Sequence, residues 1–286
     1  RGRPALPEIA EAHVSDRTKN LLLDALTIVV LGVLLLPIIW VFIASIRPDA
    51  DIMTKSLIPA RVTFEHFAAI FARSDFLIAL RNSLIVGTIV SVCTVLIAVP
   101  ASYSLSRFTY LGRDFFGFLI LATQMLPAVA VLVPIVVLIR SLGLTNTLTA
   151  LTFTHLALGL PIAVWMLKGY IDAVPRELEE ASIIDGSSQI GAMFRITLPL
   201  IRPAVIAVGT FAFVLSWGEF LLALALISKT EVKTLPLALQ TLFDPYSFSW
   251  GEVMAGGVVI AVPTIVLFLL FRNQLVGGLT AGGIKG

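Results

Sequence analysis

The polar segment at residues 168–202 reads KGYIDAVPRELEEASIIDGSSQIGAMFRITLPLIR and separates two strongly apolar runs. Pro175 suits the first turn of a helix, and the glutamates that follow it are favourable at the positive N-terminal end of that helix. Gly186 can end this helix in a left-handed conformation, and either Ser187 or Ser188 can cap a second one. The segment is therefore predicted to form two short helices joined by a sharp bend.

The second of these helices has apolar residues at helical spacing, and prolines follow it. Pro199 and Pro203 stop it before the next apolar run. Its predicted apolar face consists of Ile190, Met193, Phe194 and Thr197 or Leu198.

On both sides of this segment the chain is apolar enough to cross a membrane. It has 286 residues, of which 58% are hydrophobic and 13% are charged, whereas soluble domains carry about 25% charged residues. A spanning helix needs about 20 mainly apolar residues. Six runs qualify, namely 25–46, 80–105, 115–139, 147–167, 203–227 and 255–271. The predicted fold class is an all-α integral membrane protein with six transmembrane helices.

The distribution of Lys and Arg indicates the orientation of these helices. With the N-terminus inside, twelve of the twenty Lys and Arg residues lie on cytoplasmic segments. This bias predicts an N-in/C-in arrangement with residues 1–20, 168–202 and 272–286 in the cytoplasm. The first run is longer than the core of a signal peptide, about 7–15 residues, so we expect it to be retained as a span.

Several classes of function are disfavoured by what the sequence lacks. The net charge of +2 and the absence of a basic run do not suit nucleic acid. The single cysteine, Cys93, excludes an intrachain disulfide and a cysteine metal cluster. No Gly-x4-Gly-Lys-Ser/Thr phosphate loop and no hydrolase or zinc signature occurs, so we predict neither a catalytic residue nor a metal site.

Patterning alone leaves the role of residues 168–202 open. A solvated connecting loop would carry the same helix caps. A DNA-binding helix-turn-helix has a similar outline, but the first helix is strongly acidic, and phosphate contacts need cations.

The residues themselves carry a more specific pattern. Three residues separate Glu180-Ala181-Ser182 from Gly186, nine separate Gly186 from Ile196, and one separates Ile196 from Leu198-Pro199. This spacing resembles the EAA loop of the membrane subunits of binding-protein-dependent ABC importers, with Ser182 in place of the second alanine of the family pattern. Asp185 before the glycine is also similar to that family. The resemblance implies that the bent helical pair docks into a cleft of a separate ATPase subunit.

Further stretches resemble the maltose-type carbohydrate permeases within that family. These stretches are Asn82-Ser83, Tyr103 with Arg107, 143–147, 217–220 and 278–286. The resemblance covers residues 21–286 as one permease domain and implies the type I importer permease fold in a bacterial inner (plasma) membrane. It implies four kinds of partner: two ATPase subunits, a second related permease subunit, an extracytoplasmic solute-binding protein and a carbohydrate, polyol or sugar derivative. ATP and Mg²⁺ would be bound by the ATPase, and this chain would hold no cofactor.

Polar and ionisable groups inside the predicted spans are candidates for the substrate path. Glu219 and His155 are expected at similar depth, where a structural pair explains them as well as a pathway does. Asn82 and Gln124 suit sugar hydroxyls, although helix–helix hydrogen bonds explain them equally. Trp217 completes this candidate set. A secondary transporter driven by an ion gradient is the main alternative, but we find no internal repeat to support it.

Overall fold

The part of the chain that the structure describes is mainly helical. The computed structural model describes residues 7–52, 56, 59, 61–243 and 248–283, with side chains at 20–21 and from 23 to 274 except residue 128, and no strand occurs in these ranges. The α-helices are α1 (Pro7–Ser45), α2 (Asp49–Ile52), α3 (Glu65–Ala72), α4 (Ser74–Arg107), α5 (Arg113–Gln124), α6 (Ala128–Ser141), α7 (Leu148–Asp172), α8 (Arg176–Ile184), α9 (Gln189–Ala192), α10 (Leu198–Leu200), α11 (Arg202–Trp217), α12 (Leu221–Leu226), α13 (Leu235–Gln240) and α14 (Trp250–Gly283). A π-helix (Met193–Thr197) joins α9 to α10, and a 3₁₀ turn (Thr230–Val232) precedes α13.

Within the described ranges, four helices are long and apolar enough to cross a membrane. They are α4, α7 and the apolar parts Leu23–Ser45 of α1 and Trp250–Gln274 of α14. Two bent pairs add up to two further spans, one formed by α5 with α6 and one by Gln189–Leu200 with α11. The second pair differs from the expected run 203–227, which corresponds to α11 with α12. The count of six spans and the N-in/C-in orientation therefore stay predictions.

Two of the predicted spans are broken rather than continuous. Residues 115–139 divide where α5 ends, and Pro127 stands as the N-cap of α6 with an extended backbone. Residues 203–227 divide at 218–220, between α11 and α12. The first break has a clear cause, because a proline has no N–H to continue the helical hydrogen-bond ladder.

Both predicted tails continue as helix. Helix α1 begins at Pro7 and α14 extends to Gly283, so the described parts of 1–20 and 272–286 prolong the neighbouring helices. Residues 1–6 and 284–286 of these predicted tails lie outside the described residues.

One compact unit comprises Arg1–Ala69 and Ser249–Val258. Arg47 is buried, and its guanidinium carbon lies 5.6 Å from the centre of the Trp40 ring. His66 Nε2 lies 2.9 Å from the Arg47 carbonyl oxygen, and the Gly251 N–H donates to Asp49 Oδ1 at 2.8 Å. The His66 ring packs against Gly251 so closely that no side chain fits at that position. These contacts tie the end of α1 to α3 and to the start of α14.

The second compact unit comprises Ile70–Phe248 and Val259–Gly286. Helices α4, α7 and α11 pack together along its length. One apolar cluster lies at the C-terminal ends of α4 and α7 and includes Tyr103, Leu167, Ile171 and Met193. Another lies towards the N-terminal halves of these two helices and includes Val86, Leu151, Leu226 and Leu237. The first cluster seats residues 189–201 against the membrane helices.

Candidate functional site

The bend predicted at Gly186 is present. Gly186 has φ +94°, its N–H donates to the Ile183 carbonyl oxygen at 3.0 Å, and the Ser187 N–H donates to the Ser182 carbonyl oxygen at 3.0 Å. Together these two bonds form a Schellman motif, which satisfies the last carbonyls of α8. The expectation of a left-handed end to this helix is confirmed, because only glycine adopts this φ without strain.

Beyond the bend, Ser188 caps the second helical piece. Its hydroxyl accepts from the Gly191 N–H at 3.1 Å, which settles the choice left open between two serines. The helix then widens into the π-helix, where the Leu198 N–H reaches the Met193 carbonyl oxygen. Pro199 accounts for the widening: in an α-helix its ring would clash with the carbonyl of Arg195, four residues earlier.

The motif residues lie mostly on the surface of this segment. Glu180, Ala181, Asp185, Gly186 and Pro199 are exposed, whereas Ser182, Ile196 and Leu198 are half-buried. Apart from Gly186 and its two chain neighbours, no atom of the described residues lies within 4 Å of the position that a Cβ on Gly186 would take. The motif therefore presents an open face at the bend.

The apolar face predicted for the second helix divides into two sides. Met193 and Thr197 are buried against the membrane helices. Ile190 and Phe194 are 63% and 57% exposed, and Ile184 at the end of α8 is 86% exposed. Exposed apolar side chains on a polar segment are suited to contact with a partner.

A buried carboxylate that the sequence analysis did not single out anchors the segment. Glu179, which precedes the motif, is 5% exposed. Its Oε1 accepts from Arg107 Nε at 2.8 Å and from Thr197 Oγ1 at 2.7 Å, and its Oε2 accepts from the Tyr103 hydroxyl at 2.8 Å. Burial alone raises the pKa of the Glu179 carboxyl, but the hydrogen bonds from Thr197, Arg107 and Tyr103 and the charge of Arg107 outweigh it and hold that pKa below its ordinary value.

Arg107 connects this carboxylate to the backbone that leads into α8. Its Nη2 donates to the Val174 carbonyl oxygen at 2.7 Å, and Arg176 Nη2 donates to the Ser106 carbonyl oxygen at 3.0 Å. The Ser106 hydroxyl in turn donates to Asp172 Oδ1 at 2.6 Å. The ends of α4, α7 and α8 are thus joined by side-chain hydrogen bonds.

Part of this cluster left a signal in the sequence. Tyr103 and Arg107 are four residues apart, so they share one face of α4, but their partner lies 72 or more positions away. Glu179 and Glu180 are adjacent acids on one helix, and no pattern in the sequence shows which of them faces inward. The prediction gave either Thr197 or Leu198 as part of the apolar face. Thr197 is buried, and its hydroxyl donates to Glu179.

Two of the five predicted path residues come together. His155 Nε2 lies 3.4 Å from Glu219 Oε2, and His155 Nδ1 lies 2.8 Å from the Ser216 hydroxyl. The Glu219 carboxylate also accepts the N–H groups of Leu222 at 2.8 Å and Ala223 at 3.2 Å. It therefore caps α12, whose first N–H groups have no partner within the helix.

The other three path candidates lie apart from this pair. Trp217 is 2% exposed, and its Nε1 donates to the Ile260 carbonyl oxygen at 2.9 Å. Asn82 is fully buried, and its amide donates to the carbonyl oxygens of Glu231 at 2.9 Å and Lys233 at 3.0 Å. Gln124 ends α5 and is exposed.

The cavities distinguish these groups further. Glu219 lines a cavity of about 40 Å³ whose other walls are apolar, a volume that suits a water molecule and not a sugar. A cavity of about 470 Å³ lies among α4, α11 and α14 with Thr88, Ser91 and Thr210 in its lining, and none of the five path candidates lines it.

Comparison with known proteins adds to this geometry. Residues 94–276 match the family of binding-protein-dependent transport system inner membrane components. The chain belongs to this family. The matched range contains all of residues 168–202, so the membrane permease carries its bent segment within the family domain. The predicted recognition and the inner-membrane location are confirmed.

Several curated relatives are similar to this permease over most of their length. The sulfoquinovosyl glycerol transport system permease protein SmoH of Agrobacterium fabrum is 37% identical over 254 residues, which are 88% of this chain and 89% of that protein. The diacetylchitobiose uptake system permease protein DasC of Streptomyces coelicolor is 33% identical, covering 88% and 92% of the two chains. The trehalose/maltose transport system permease protein MalG of Thermococcus litoralis is 31% identical, covering 94% and 98%.

The permease also has the fold of a solved transporter. A chain in the crystal structure of a bacterial ABC transporter involved in the import of the acidic polysaccharide alginate superposes with a TM-score of 0.74 at 20% identity, covering 91% of this chain and 97% of that one. At this identity the likeness shows the fold alone, and it confirms the predicted all-α importer permease fold.

Proposed function

We propose that this chain is a transmembrane permease subunit of an ATP-driven ABC importer for a carbohydrate, polyol or sugar derivative, and that residues 168–202 couple it to a separate ATPase. The observation that carries the coupling role is the combination at one bend of an exposed Gly186 with exposed Ile184, Ile190 and Phe194. A soluble partner with an apolar cleft would cover these side chains. Family membership supports the importer.

The substrate class is supported by the relatives. SmoH is named for sulfoquinovosyl glycerol, DasC for diacetylchitobiose and MalG for trehalose and maltose. All three are transport permeases for sugars or sugar derivatives, which favours a cargo rich in hydroxyl groups for this chain.

The proposed assembly contains two ATPase subunits, a second related permease subunit and an extracytoplasmic solute-binding protein. ATP and Mg²⁺ are bound by the ATPase, because this sequence has no phosphate loop. The proposed N-in/C-in orientation puts residues 168–202 and the ATPase on the same side of the membrane.

The proposed coupling surface has two parts. The first consists of Glu180, Ala181, Ser182, Asp185 and Gly186, and the second consists of Ile196, Leu198 and Pro199. Glu180 is an exposed carboxylate of α8, and we assign it the role of orienting the ATPase. We retain Glu219 and His155 as path candidates because they lie together beside a helix break. Asn82, Gln124 and Trp217 stay in the candidate set through resemblance only.

Uptake by membrane vesicles that contain the complete transporter tests this function. Uptake that requires ATP and the loaded binding protein is the expected result. Uptake driven by an imposed proton or sodium gradient without ATP would assign the chain to the secondary transporters instead. A Gly186→Lys variant should then lose ATP-driven uptake, and retention of uptake in that variant would contradict the coupling role.

A further inference from the structure

We infer that Glu179 is a positioning residue that fixes the coupling segment to the cytoplasmic end of α4, and that the π-helix before Pro199 exists to complete this attachment. The inference rests on the proposed coupling function. It concerns residues outside the surface that would touch the ATPase, because Glu179, Tyr103 and Thr197 are all buried.

The contacts of Glu179 come from three separate parts of the chain. Tyr103 and Arg107 belong to α4, Glu179 belongs to α8, and Thr197 ends the π-helix. The Tyr103 hydroxyl also lies 3.2 Å from the Gln189 carbonyl oxygen at the start of α9. The Glu179 carboxylate thus fixes the helices on both sides of the bend relative to the end of α4.

The chemistry of this cluster suits positioning and not catalysis. Both carboxylate oxygens accept hydrogen bonds, which hold the carboxylate in one orientation. A buried ion pair adds little to stability compared with apolar side chains of equal size, because desolvation offsets the attraction. Its advantage is directional: charge-assisted hydrogen bonds hold their partners at short distances and defined angles.

The π-helix is needed for one of these bonds. Each of its hydrogen bonds spans one more residue than in an α-helix, so removing one residue from it would rotate Thr197 by about 100° away from Glu179. Pro199 favours the wider turn because the ring would clash with the Arg195 carbonyl in an α-helix. The Leu-Pro end of the motif therefore acts inside this chain, by setting the position of Thr197.

Movement of the bend would consequently be transmitted to α4. The segment 189–200 meets α11 at a bend of 78°. It is also attached to the membrane helices through the Glu179 cluster and through apolar side chains such as Met193. A displacement of the exposed face would move α11 through the covalent chain. It would move α4 through the contacts of Glu179 with Arg107 and Tyr103. Loss of the cluster should leave the docking face in place and weaken the transfer to α4.

The test measures solute imported per ATP hydrolysed by the complete transporter in proteoliposomes, together with the amount of ATPase that co-purifies with the permease. Glu179→Gln should keep the ATPase bound but import about tenfold less solute per ATP, as expected for the loss of a charge-assisted hydrogen bond. Glu177→Gln is the matched control, since Glu177 is an exposed glutamate of the same helix.

A second pair of variants keeps both charges and tests the π-helix contact. Thr197→Val removes the hydroxyl at nearly constant volume and should lower the import ratio, whereas Thr197→Ser retains the hydroxyl and should preserve it. Tyr103→Phe should behave as Thr197→Val does. These variants decide the matter even where Glu179→Gln fails to fold.

The outcomes separate this inference from the proposed function. An unchanged import ratio in Glu179→Gln or Thr197→Val would overturn the positioning role while leaving the importer intact. If the lower import ratio of a variant were explained entirely by a smaller amount of co-purifying ATPase, that result would also overturn the positioning role. Absence of ATP-driven uptake in the unaltered transporter would instead remove the proposed function, and this inference with it.

Discussion

Arg107 Nε lies 2.8 Å from Glu179 Oε1, and the two side chains are only 5% and 6% exposed. The pair joins the last residue of α4 to the polar segment 168–202. Removing one partner of a buried pair leaves the other charge without compensation, which costs about 3–5 kcal/mol. The geometry of the bend depends on this contact and on the hydrogen bonds that surround it.

The stability of the permease should therefore depend on pH in the acid range. The pKa of Glu179 lies below its ordinary value, since its hydrogen bonds and the charge of Arg107 outweigh its burial. Its stabilising contribution is fully present above the pKa of an unfolded glutamate, about 4.3, and is lost as the pH falls through the lower pKa of the folded protein. Thermal unfolding in detergent should show this loss at acid pH.

The comparison with Glu179→Gln isolates the contribution of this residue. That variant should be less stable than the unaltered protein at neutral pH, and the difference should shrink as the pH falls. Glu177→Gln should follow the unaltered protein at every pH, because Glu177 is exposed. Parallel curves for the protein and Glu179→Gln would contradict the assignment.

Gly186 variants separate backbone strain from contact with the ATPase. The left-handed φ of +94° should make Gly186→Ala less stable by about 1–2 kcal/mol. Gly186→Asn tolerates this conformation better, and no described residue beyond its chain neighbours lies within 4 Å of its Cβ position. We expect Gly186→Asn to keep most of the stability while lowering uptake and ATPase binding, measured by unfolding and co-purification. Full uptake in Gly186→Asn would show that no partner approaches the bend.

Glu219 should prove structurally important whether or not it lies on the substrate path. Glu219→Ala removes the acceptor of two N–H groups of α12, which costs about 1–3 kcal/mol. Glu219→Gln keeps one acceptor oxygen and should cost less. Glu231→Gln, at an exposed site, provides the control for thermal unfolding.

Transport by Glu219→Gln tests the path itself. If the carboxylate serves the pathway, this variant should import less solute although it assembles normally. Unchanged uptake with normal assembly would leave Glu219 as a helix cap and a partner of His155.

Asn82 should control the order of residues 228–240. Its amide donates to the carbonyls of Glu231 and Lys233, and the neighbouring Ser83 hydroxyl accepts the Leu235 N–H at 2.8 Å. Asn82→Ala should destabilise this region by about 1–3 kcal/mol, since each hydrogen bond contributes roughly 0.5–1.5 kcal/mol. Hydrogen exchange should become faster at 230–237 and stay unchanged in α8. Equal protection in both proteins would argue against this role.

Local patterns were sufficient for the bend and the helix caps of residues 168–202, but they did not predict the π-helix. The glycine at position 186, a capping serine and the prolines specify the helix ends through backbone rules that act within a few residues. The apolar runs likewise predicted the membrane helices, because span length follows from bilayer thickness. The motif spacing indicated the family of importer permeases, and the comparisons confirmed that family.

The breaks within the spans were harder to predict. The residues 218–220 that separate α11 from α12 are flanked by apolar sequence on both sides, and the break is stabilised by Glu219 as a cap. Whether a carboxylate in an apolar run caps a helix, pairs with a histidine or lines a path depends on which elements lie beside it. A hydropathy average over the sequence is the same for all three of these roles.

By itself the sequence determined that this chain is a helical membrane protein with a glycine bend between capped helices, because those features depend on composition and near neighbours. The permease assignment came from its resemblance to a family. Only the tertiary structure decided which glutamate of α8 turns inward, since Tyr103, Arg107 and Thr197 approach Glu179 from positions up to 76 residues away. The same holds for the 3.4 Å approach of His155 to Glu219. Burial of a polar group is stable only where donors and acceptors converge on it, and that convergence is a property of the packed helices.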